Sequence, residues 1–265
     1  MPVSGRRSAF LIGSAAAHVA AAVALVASPG WWPWLVAGLI ADHALIAGAG
    51  LIPTCRLLGP NLRRLGADAA KRGEVALTFD DGPDPDVTPR VLEMLAAAGA
   101  RATFFPVGEH AAGYPDLVTD VAAAGHRLGN HTWSHPAGFW FLPPAALSRE
   151  IDRAQDALTE LGGVSPRWFR APAGIRSPWL EPQLARRGLG LVSWTRRGFD
   201  TVTSDPDRVA ARLVEGLAAG DVLVLHDRVT GRSSSGRPVV LEVLPRVLRA
   251  LADRGLRSVP LPDRA

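Results

Sequence analysis

Two adjacent carboxylates and two spaced histidines are the residues of this chain best suited to catalysis. Asp80 and Asp81 follow a short apolar run, and His131 and His135 stand four positions apart. On a helical turn, two imidazoles at that spacing share a face and can both reach one ion. One of the neighbouring acids can complete an open metal site while the other stays free as a base. The alternative interpretation of the acids is a plain turn, because glycine and prolines follow them.

Further polar residues recur where predicted strands end. From Glu74 onward, short apolar runs alternate with helical patterns, which predicts a parallel α/β barrel or a doubly wound sheet. The residues at the strand ends are Asp80, Asp81, His131, Arg170, Asp200, His226 and Asp227. In a barrel, the loops at that edge build the active site. The elements therefore bring these residues together.

The predicted elements follow from apolar spacing and from glycine or proline at their ends. The predicted strands are residues 75–79, 102–107, 168–169, 189–194, 222–225 and 257–260. The predicted helices are residues 88–99, 115–124, 145–161, 205–219 and 239–250. We expect Thr88 to cap the first of these helices, with Pro89 in its first turn.

Four motifs occur in a fixed order along this region. They are TFDDGP at 78–83, HxxxH at 131–135, RAPAG at 170–174 and LVLHD at 223–227. Together they resemble the polysaccharide deacetylases, the chitooligosaccharide-deacetylase homology group of carbohydrate esterases. The resemblance covers roughly residues 73–260. It implies a distorted, partial (β/α) barrel and a hydrolase that removes N-acetyl or related acyl groups from a carbohydrate.

The resemblance implies that Asp81, His131 and His135 bind a divalent metal ion. Three protein ligands leave a position for water and for the acyl oxygen. The nitrogen and oxygen donors suit zinc, with cobalt or nickel as alternatives. The same ion would polarise the carbonyl and acidify the water.

The resemblance also implies the roles of four further residues. Asp80 would be the general base, and Arg170 would hold it in place. His226 would be the general acid that protonates the departing amine, since its reference pKa of about 6.5 suits neutral solution. The peptide N–H of Ala173 would help to bind the oxyanion.

Two positions depart from the family pattern. Ala173 stands where an aromatic residue is usual, so a sugar-stacking wall is missing. Arg197 and Asp200 stand where the family has two acids, and the first acid normally tunes the acid histidine. Asp200 or Asp227 could substitute for that lost acid. The alternative interpretation of Asp200 is a surface loop acid.

Three functions fit these residues. The first is metal-dependent deacetylation of an N-acylated sugar, either a lipid-linked sugar or a cell-envelope polysaccharide. The second is a non-catalytic, membrane-tethered glycan-binding protein on the same fold, which the altered fourth motif suggests. The third is an ester or formyl hydrolase, because the same site could cleave those groups. Acyl release and the identity of the released acid discriminate among the three.

Two apolar stretches precede the body of the chain. Residues 9–27 and 34–52 are each close to the roughly 20 residues that a spanning helix needs. Tryptophans around the short, uncharged link suit a membrane–water boundary. The predicted organisation is a membrane hairpin over residues 1–54, a basic linker over 55–73 and a catalytic domain over 74–265. We expect the linker to be a solvated or headgroup-touching connector. His18 and Asp42 stand at mid-depth, so a contact between them would lower the cost of burying the acid.

The basic residues around the two stretches predict the orientation of the hairpin. They are Arg6, Arg7, Arg56, Arg63, Arg64, Lys71 and Arg72. The positive-inside rule then places both ends and the catalytic domain in the cytoplasm, in a multi-pass membrane protein. Two alternatives are a second helix that lies in the membrane interface and a first stretch that is a secretory signal. The signal would send the domain outside the cell.

Composition excludes several other classes of protein. The chain has 265 residues, 48% apolar and 20% charged, which excludes a disordered chain. Its one cysteine, Cys55, excludes a disulfide framework. The net charge is +4, but residues 1–72 hold seven basic and two acidic residues, so the remainder is nearly neutral. Nucleic-acid binding is therefore not expected, and the sequence does not predict an oligomeric state.

Overall fold

Two apolar helices precede an α/β body in the computed structural model, which describes residues 8–229 and 231–263. Helix α1 spans Ala9–Ala27 and helix α2 spans Trp32–Leu51, with a single 3₁₀ turn at Pro29–Trp31 between them. The two candidate membrane spans are Ala9–Ala27, with a mean hydropathy of 2.1, and Pro29–Leu51, which includes the 3₁₀ turn and α2, with a mean hydropathy of 1.6. Helix α2 begins two residues before the predicted position because Pro33 fits its first turn. Arg6 and Arg7 lie outside the described residues.

A small polar cluster joins the two helices at mid-length. The Ser14 hydroxyl donates to Asp42 Oδ2 at 2.6 Å, and His18 Nδ1 lies 3.9 Å from the same oxygen. The expected approach of His18 to Asp42 is therefore present, with serine supplying the shorter contact. His43 lies beside them, its ring centre 5.1 Å from that of His18.

A curved parallel sheet forms the centre of the body. The strands are β1 Glu74–Asp80, β2 Ala102–Phe105, β3 Arg127–Leu128, β4 Trp168–Phe169, β5 Gly190–Leu191, β6 Arg196–Arg197, β7 Val222–His226 and β8 Arg257–Ser258. Within the described residues the main sheet has the order β3-β2-β1-β7-β6, with β8 on the first residues of β1. Strands β4 and β5 pair separately, and a bridge from Asn130 to Phe169 continues the curve. The result is a distorted, partial barrel.

Helices pack around the outside of this barrel. They are α3 Ala67–Lys71, α4 Thr88–Ala97, α5 Gly108–Gly113, α6 Pro115–Ala123, α7 Pro144–Gly162, α8 Leu180–Arg186, α9 Pro206–Val214 and α10 Val239–Asp253. The amphipathic helices bury one face each, as Leu147, Ile151 and Leu158 of α7 illustrate. Alternation of strand and helix puts the carboxyl ends of the strands at one edge.

Strand β1 shows how the sheet separates core from site. All seven of its residues are buried, as expected for a parallel strand covered on both faces. Val75, Leu77 and Phe79 belong to the core under the outer helices. Thr78 and Asp80 point the other way and contact Arg170 inside the barrel. The period of two thus delivers Asp80 to the barrel interior.

The basic linker is packed into the barrel, so the expectation of a solvated connector is wrong. Leu62 forms a parallel bridge with Val192, and its backbone bonds to both neighbours of that residue. Arg64 Nη1 donates to the buried Asp221 carboxylate at 2.7 Å. The linker occupies the open side of the barrel, where unpaired backbone groups of the short strands need partners.

Two further predictions differ from the structure. Thr88 is the first residue of α4 rather than its cap, because its hydroxyl accepts from the Asp84 N–H and donates to Asp227. The predicted strand at 189–194 is only two residues long, and a separate strand, β6, follows it. Leu62 of the linker forms the backbone pairing with Val192 that a longer strand would have formed with a neighbouring strand.

Candidate active site

A pocket of about 370 Å³ opens at the carboxyl ends of the strands. It is lined by Asp80, Asp81, His131, His135, Ala171, Ala173, Gly174, Trp194, Arg197, Thr201, Val224 and His226. The parallel register explains the convergence, because Asp80 on β1 lies beside His226 on β7. Most of the site residues predicted from the sequence thus share one cavity.

Asp81 and the two histidines form a compact group of ligand atoms. Asp81 Oδ1 lies 3.3 Å from His131 Nε2 and 3.5 Å from His135 Nε2. The three ligand atoms lie within 4.8 Å of one another. Asp81 Oδ1 is buried and has no hydrogen-bond partner among the described residues. A buried anionic oxygen between two imidazoles is an arrangement that a divalent cation satisfies.

The surroundings of this group orient His131 and keep Asp81 charged. His131 Nδ1 lies 2.8 Å from the Arg170 carbonyl and donates to it, so the ring is held with Nε2 facing Asp81. Burial alone would raise the pKa of Asp81, but the approach of His131 and the charges of His226 and His135 hold it well below its usual range. Asp81 is therefore an anion throughout the neutral range.

The segment that carries the two histidines is a loop rather than a helical turn. Thr132 and His135 adopt left-handed backbone angles, with φ of 71° and 48°. Glu150 on α7 accepts from the N–H groups of Trp133 and Ser134, at 3.1 and 2.9 Å, and from the Ser134 hydroxyl. These bonds stabilise the bent backbone that brings the imidazoles to 5.0 Å between ring centres.

Asp80 is held by a buried guanidinium. Arg170 is 1% exposed and donates from Nη1 to Asp80 Oδ1 at 2.6 Å and to Thr78 Oγ1 at 2.8 Å. Its Nη2 donates to the Ser193 carbonyl, and its Cζ lies 4.3 Å from the Phe105 ring centre. One carboxylate oxygen of Asp80 is thus fixed, and the second remains available to the pocket.

His226 is paired with Asp200 across the end of β7. Asp200 Oδ1 accepts from His226 Nδ1 at 2.8 Å, and Oδ2 accepts from the His226 backbone N–H at 2.9 Å. Burial alone would lower the pKa of His226, but the Asp200 charge and hydrogen bond raise it to about 9. The imidazole therefore carries a proton at neutral pH. Asp200 is 1% exposed, so it is not a surface loop acid.

Asp227 has different neighbours. Its Oδ2 accepts from the Thr88 hydroxyl at 2.8 Å, and its carboxylate packs against Gly82, where a Cβ would lie 2.3 Å from it. Burial raises the pKa of Asp227 to about 7. Of the two acids that could substitute in the fourth motif, only Asp200 reaches the histidine side chain in the described structure.

Ala173 lines the pocket in a left-handed conformation, with φ of 54°. Its peptide N–H makes no hydrogen bond within the part of the chain that the structure describes. An unoccupied donor beside Asp81 and His135 suits an oxyanion. The side chain is a methyl group, so it contributes no aromatic wall.

Sequence reasoning missed several contacts around this site. Trp194 and Thr201 line the pocket, and Glu150 supports the histidine loop. His110 Nδ1 lies 2.8 Å from the Asp81 carbonyl, although its place in a short helix suggests only a structural role. These residues lie outside the four motifs. Tertiary proximity alone identifies them.

Comparisons with known proteins agree with this geometry. A model of the polysaccharide deacetylase family matches residues 67–190. A chitooligosaccharide deacetylase of Bradyrhizobium sp. (strain ANU 289) is 32% identical over 209 residues, which cover 76% of this chain and 95% of that protein. A peptidoglycan-N-acetylglucosamine deacetylase of Bacillus cereus is 31% identical over 195 residues, covering 72% of this chain and 68% of that protein.

A solved structure agrees in fold. The family 4 acetyl xylan esterase of Clostridium thermocellum, in complex with a cobalt ion, superimposes with a TM-score of 0.63. It is 29% identical and covers 71% of this chain and 87% of its own. Because the match covers 71% of this chain, the unmatched part is long enough to contain the two N-terminal helices.

Proposed function

The chain belongs to the polysaccharide deacetylase family of metal-dependent carbohydrate deacetylases, and we propose that it removes the N-acetyl group of an amino sugar at a membrane surface. The observation that carries the proposal is the grouping of Asp81 and two imidazoles beside two further paired groups, Asp80 with Arg170 and His226 with Asp200. A glycan-binding protein has no need of these pairs.

The donor set fits a divalent cation. Asp81, His131 and His135 would hold it, and the buried Asp81 Oδ1, which accepts no hydrogen bond in the described structure, supports that assignment. When bound, the cation polarises the acyl carbonyl and acidifies water. Two imidazoles and one carboxylate are typical ligands for zinc, so we propose zinc.

Asp80 and Ala173 act on the first half of the reaction. Arg170 fixes Asp80 Oδ1, so the other oxygen takes a proton from the water that attacks the acyl carbon. The new bond joins the water oxygen to that carbon, and the carbonyl oxygen gains negative charge. The free N–H of Ala173 donates to this oxyanion.

His226 acts on the second half. Its proton passes to the amide nitrogen as the carbon–nitrogen bond breaks, so the products are a carboxylate and a free amine. The hydrogen bond to Asp200 orients the ring and keeps it protonated until this step. Asp200 therefore does the work that the sequence motif assigns to the residue replaced by Arg197.

The end of helix α2 packs against a wall of the pocket, which supports a membrane-associated substrate. The Arg176 N–H donates to the Gly50 carbonyl at 3.0 Å, and a Cβ at Gly174 would lie 2.7 Å from Pro53 Cβ. Gly174 lines the pocket. If α1 and α2 span a bilayer, the pocket lies within a few residues of its surface.

Apolar side chains near the pocket add to this argument. Phe199 and Val202 are 41% and 78% exposed. Phe199 and Val202 flank Asp200 and the pocket residue Thr201. Exposed aromatic and aliphatic groups suit the headgroup region of a membrane.

The charge pattern supports a cytoplasmic position for the body, and Cys55 tests it. This thiol is partly exposed just after α2. A membrane-impermeant thiol reagent applied to intact cells should leave Cys55 unlabelled and label it after lysis. Labelling in intact cells would place the body outside.

The activity is tested with the purified full chain in detergent micelles and an N-acetylglucosamine oligosaccharide. We expect release of acetate, loss of release after chelation, and recovery with added zinc. Zinc-loaded protein that binds the oligosaccharide without releasing acetate would contradict the proposal. Release of formate or of ester-linked acyl groups alone, from matched substrates, would reassign the reaction.

A further inference from the structure

Arg197 is a charged pocket residue that the hydrolytic groups leave unused. It lines the same cavity as Asp80 and His226. Its Nε is buried without a partner, and no hydrogen bond or ion pair to its guanidinium occurs in the described part of the chain. The adjacent Arg196 contrasts with it, because Arg196 Nε donates to the buried Asp221 carboxylate at 2.6 Å.

Two aromatic rings hold the Arg197 guanidinium. Its Cζ lies 5.1 Å from the Trp194 ring centre and 5.0 Å from that of Phe199. Contacts of this kind engage the flat faces of a guanidinium and leave its N–H donors, which lie in the plane, free. Such a group is preorganised to bind two oxygens of one oxyanion.

The groups that move protons in the proposed reaction have partners of opposite charge. Asp80 pairs with Arg170, and His226 pairs with Asp200. The Arg197 charge acts on Arg170, whose pKa is lowered mainly by burial and further by that repulsion. An unmatched, partly buried cation is costly unless a ligand supplies the opposite charge.

We infer that Arg197 forms an anion-binding subsite for a phosphate group carried by the acylated sugar itself. The inference rests on the proposed function, which places that sugar in the pocket. A cavity of about 370 Å³ is at the small end of ligand sites and has room for about one sugar unit. The phosphate is therefore attached to the sugar that loses its acyl group.

The position of helix α2 favours phosphate over carboxylate. The residues after α2 pack against the pocket wall at Gly174. Phosphate is a common linkage between a sugar and the lipid that presents it at such a surface. The substrate class is thus a lipid-linked N-acylated glycosyl phosphate, and N-acetylglucosamine 1-phosphate is its soluble probe.

The test compares two substrates in wild-type protein and in R197Q, using the full chain in micelles. We expect wild-type kcat/KM for N-acetylglucosamine 1-phosphate to exceed that for methyl N-acetylglucosaminide by about ten- to a hundredfold, as a charge-assisted bond allows. R197Q should bring this ratio close to one. A wild-type ratio near one, or a ratio that survives in R197Q, would overturn the subsite.

R212Q is the matched control. Arg212 Cζ lies 5.2 Å from the same Phe199 ring, and Nη1 donates to the Gly198 carbonyl, but Arg212 does not line the pocket. R212Q removes the same charge and should keep the wild-type ratio. Equal loss in both variants would mean that general charge sets the preference, which contradicts the subsite. A stronger preference for N-acetylmuramic acid would reassign it to carboxylates.

A binding measurement separates this inference from the proposed function. Calorimetry with glucosamine 1-phosphate and with methyl glucosaminide should show tighter binding of the phosphate in wild-type protein and not in R197Q. If no substrate is hydrolysed but this difference persists, the proposed reaction fails and the subsite stands. If acetate is released but the difference is absent, the subsite fails and the reaction stands.

Discussion

The described part of the chain contains two clusters of two histidines and one aspartate, and their surroundings differ. Asp81, His131 and His135 lie at the pocket, whereas His18, Asp42 and His43 lie halfway along the N-terminal helices. Both clusters place one ligand atom from each residue within 4.8 Å of the others. Ligand type and spacing are therefore the same in the two regions.

The differences lie in what surrounds each cluster. Beside the pocket cluster, Asp80 is hydrogen-bonded to Arg170, and His226 is hydrogen-bonded to Asp200. Among the described residues, the helix cluster has only the Ser14 hydroxyl and two backbone carbonyls, those of Ser14 and Leu39, as partners. These residues include no second carboxylate that could serve as a base. Neighbouring groups that move protons, more than the ligands themselves, distinguish a hydrolytic site from a polar contact between helices.

Removing one histidine from each cluster should give the largest difference in acetate release between the two regions. His135→Ala deletes a ligand at the pocket and should lower acetate release by about a thousandfold or more, since metal activation supplies several kcal/mol. His43→Ala deletes the matching residue in α2 and should leave the rate unchanged. Initial rates at saturating zinc measure both. Equal losses would mean that the two clusters act together.

Removing the support of the histidine loop should have a smaller effect. Glu150→Ala deletes the acceptor for two backbone N–H groups of the loop, so we expect about ten- to a hundredfold weaker zinc binding. Glu160, exposed on the same helix α7, provides the control variant Glu160→Ala. Competition with a zinc-sensitive dye measures the affinity. Unchanged affinity in Glu150→Ala would show that the loop holds its shape without this acid.

The pH profile tests the pairing of His226. Its protonated form is the acid, and its pKa is raised to about 9, so activity should persist to that pH and fall above it. Asp200→Asn removes the charge that raises the pKa, so the falling limb should move down by about 2 pH units. The measurement is kcat/KM from pH 6 to 10. A limb that stays in place would remove Asp200 from the mechanism.

The smallest effect is expected in the helices. Ser14→Ala deletes the 2.6 Å bond to Asp42 and should destabilise the packing of α1 on α2 by about 1 kcal/mol. Acetate release should be unchanged. Thermal unfolding in micelles measures the first quantity, and a steady-state assay measures the second. A loss of activity without a loss of stability would give the helix cluster a role in catalysis.

The sequence predicts most reliably those features that depend on residues close together in the chain. Asp80 and Asp81 end a buried strand, and parallel strands put their carboxyl ends at one edge, so the location of the pocket is predictable. The two apolar helices are predictable for a similar reason, because length and composition define them. Four ordered motifs also predict the family.

The remainder depends on contacts between distant residues. The convergence of the imidazoles relies on left-handed angles at Thr132 and His135, and Glu150 on another helix stabilises the loop between them. The choice of Asp200 over Asp227 depends on which loop reaches the end of β7. The linker fills a gap in the barrel that no local pattern reveals. Spacing along the chain contains none of this information.

The division of labour between the two adjacent acids is tested most directly by comparing Asp80→Asn with Asp81→Asn in one experiment. Zinc content of the purified full chain and acetate release are measured together. We predict that Asp80→Asn keeps its zinc and loses activity by a hundredfold or more, as expected for a missing base, whereas Asp81→Asn loses both. An active Asp80→Asn variant, or an Asp81→Asn variant that binds zinc as tightly as wild type, would contradict the account.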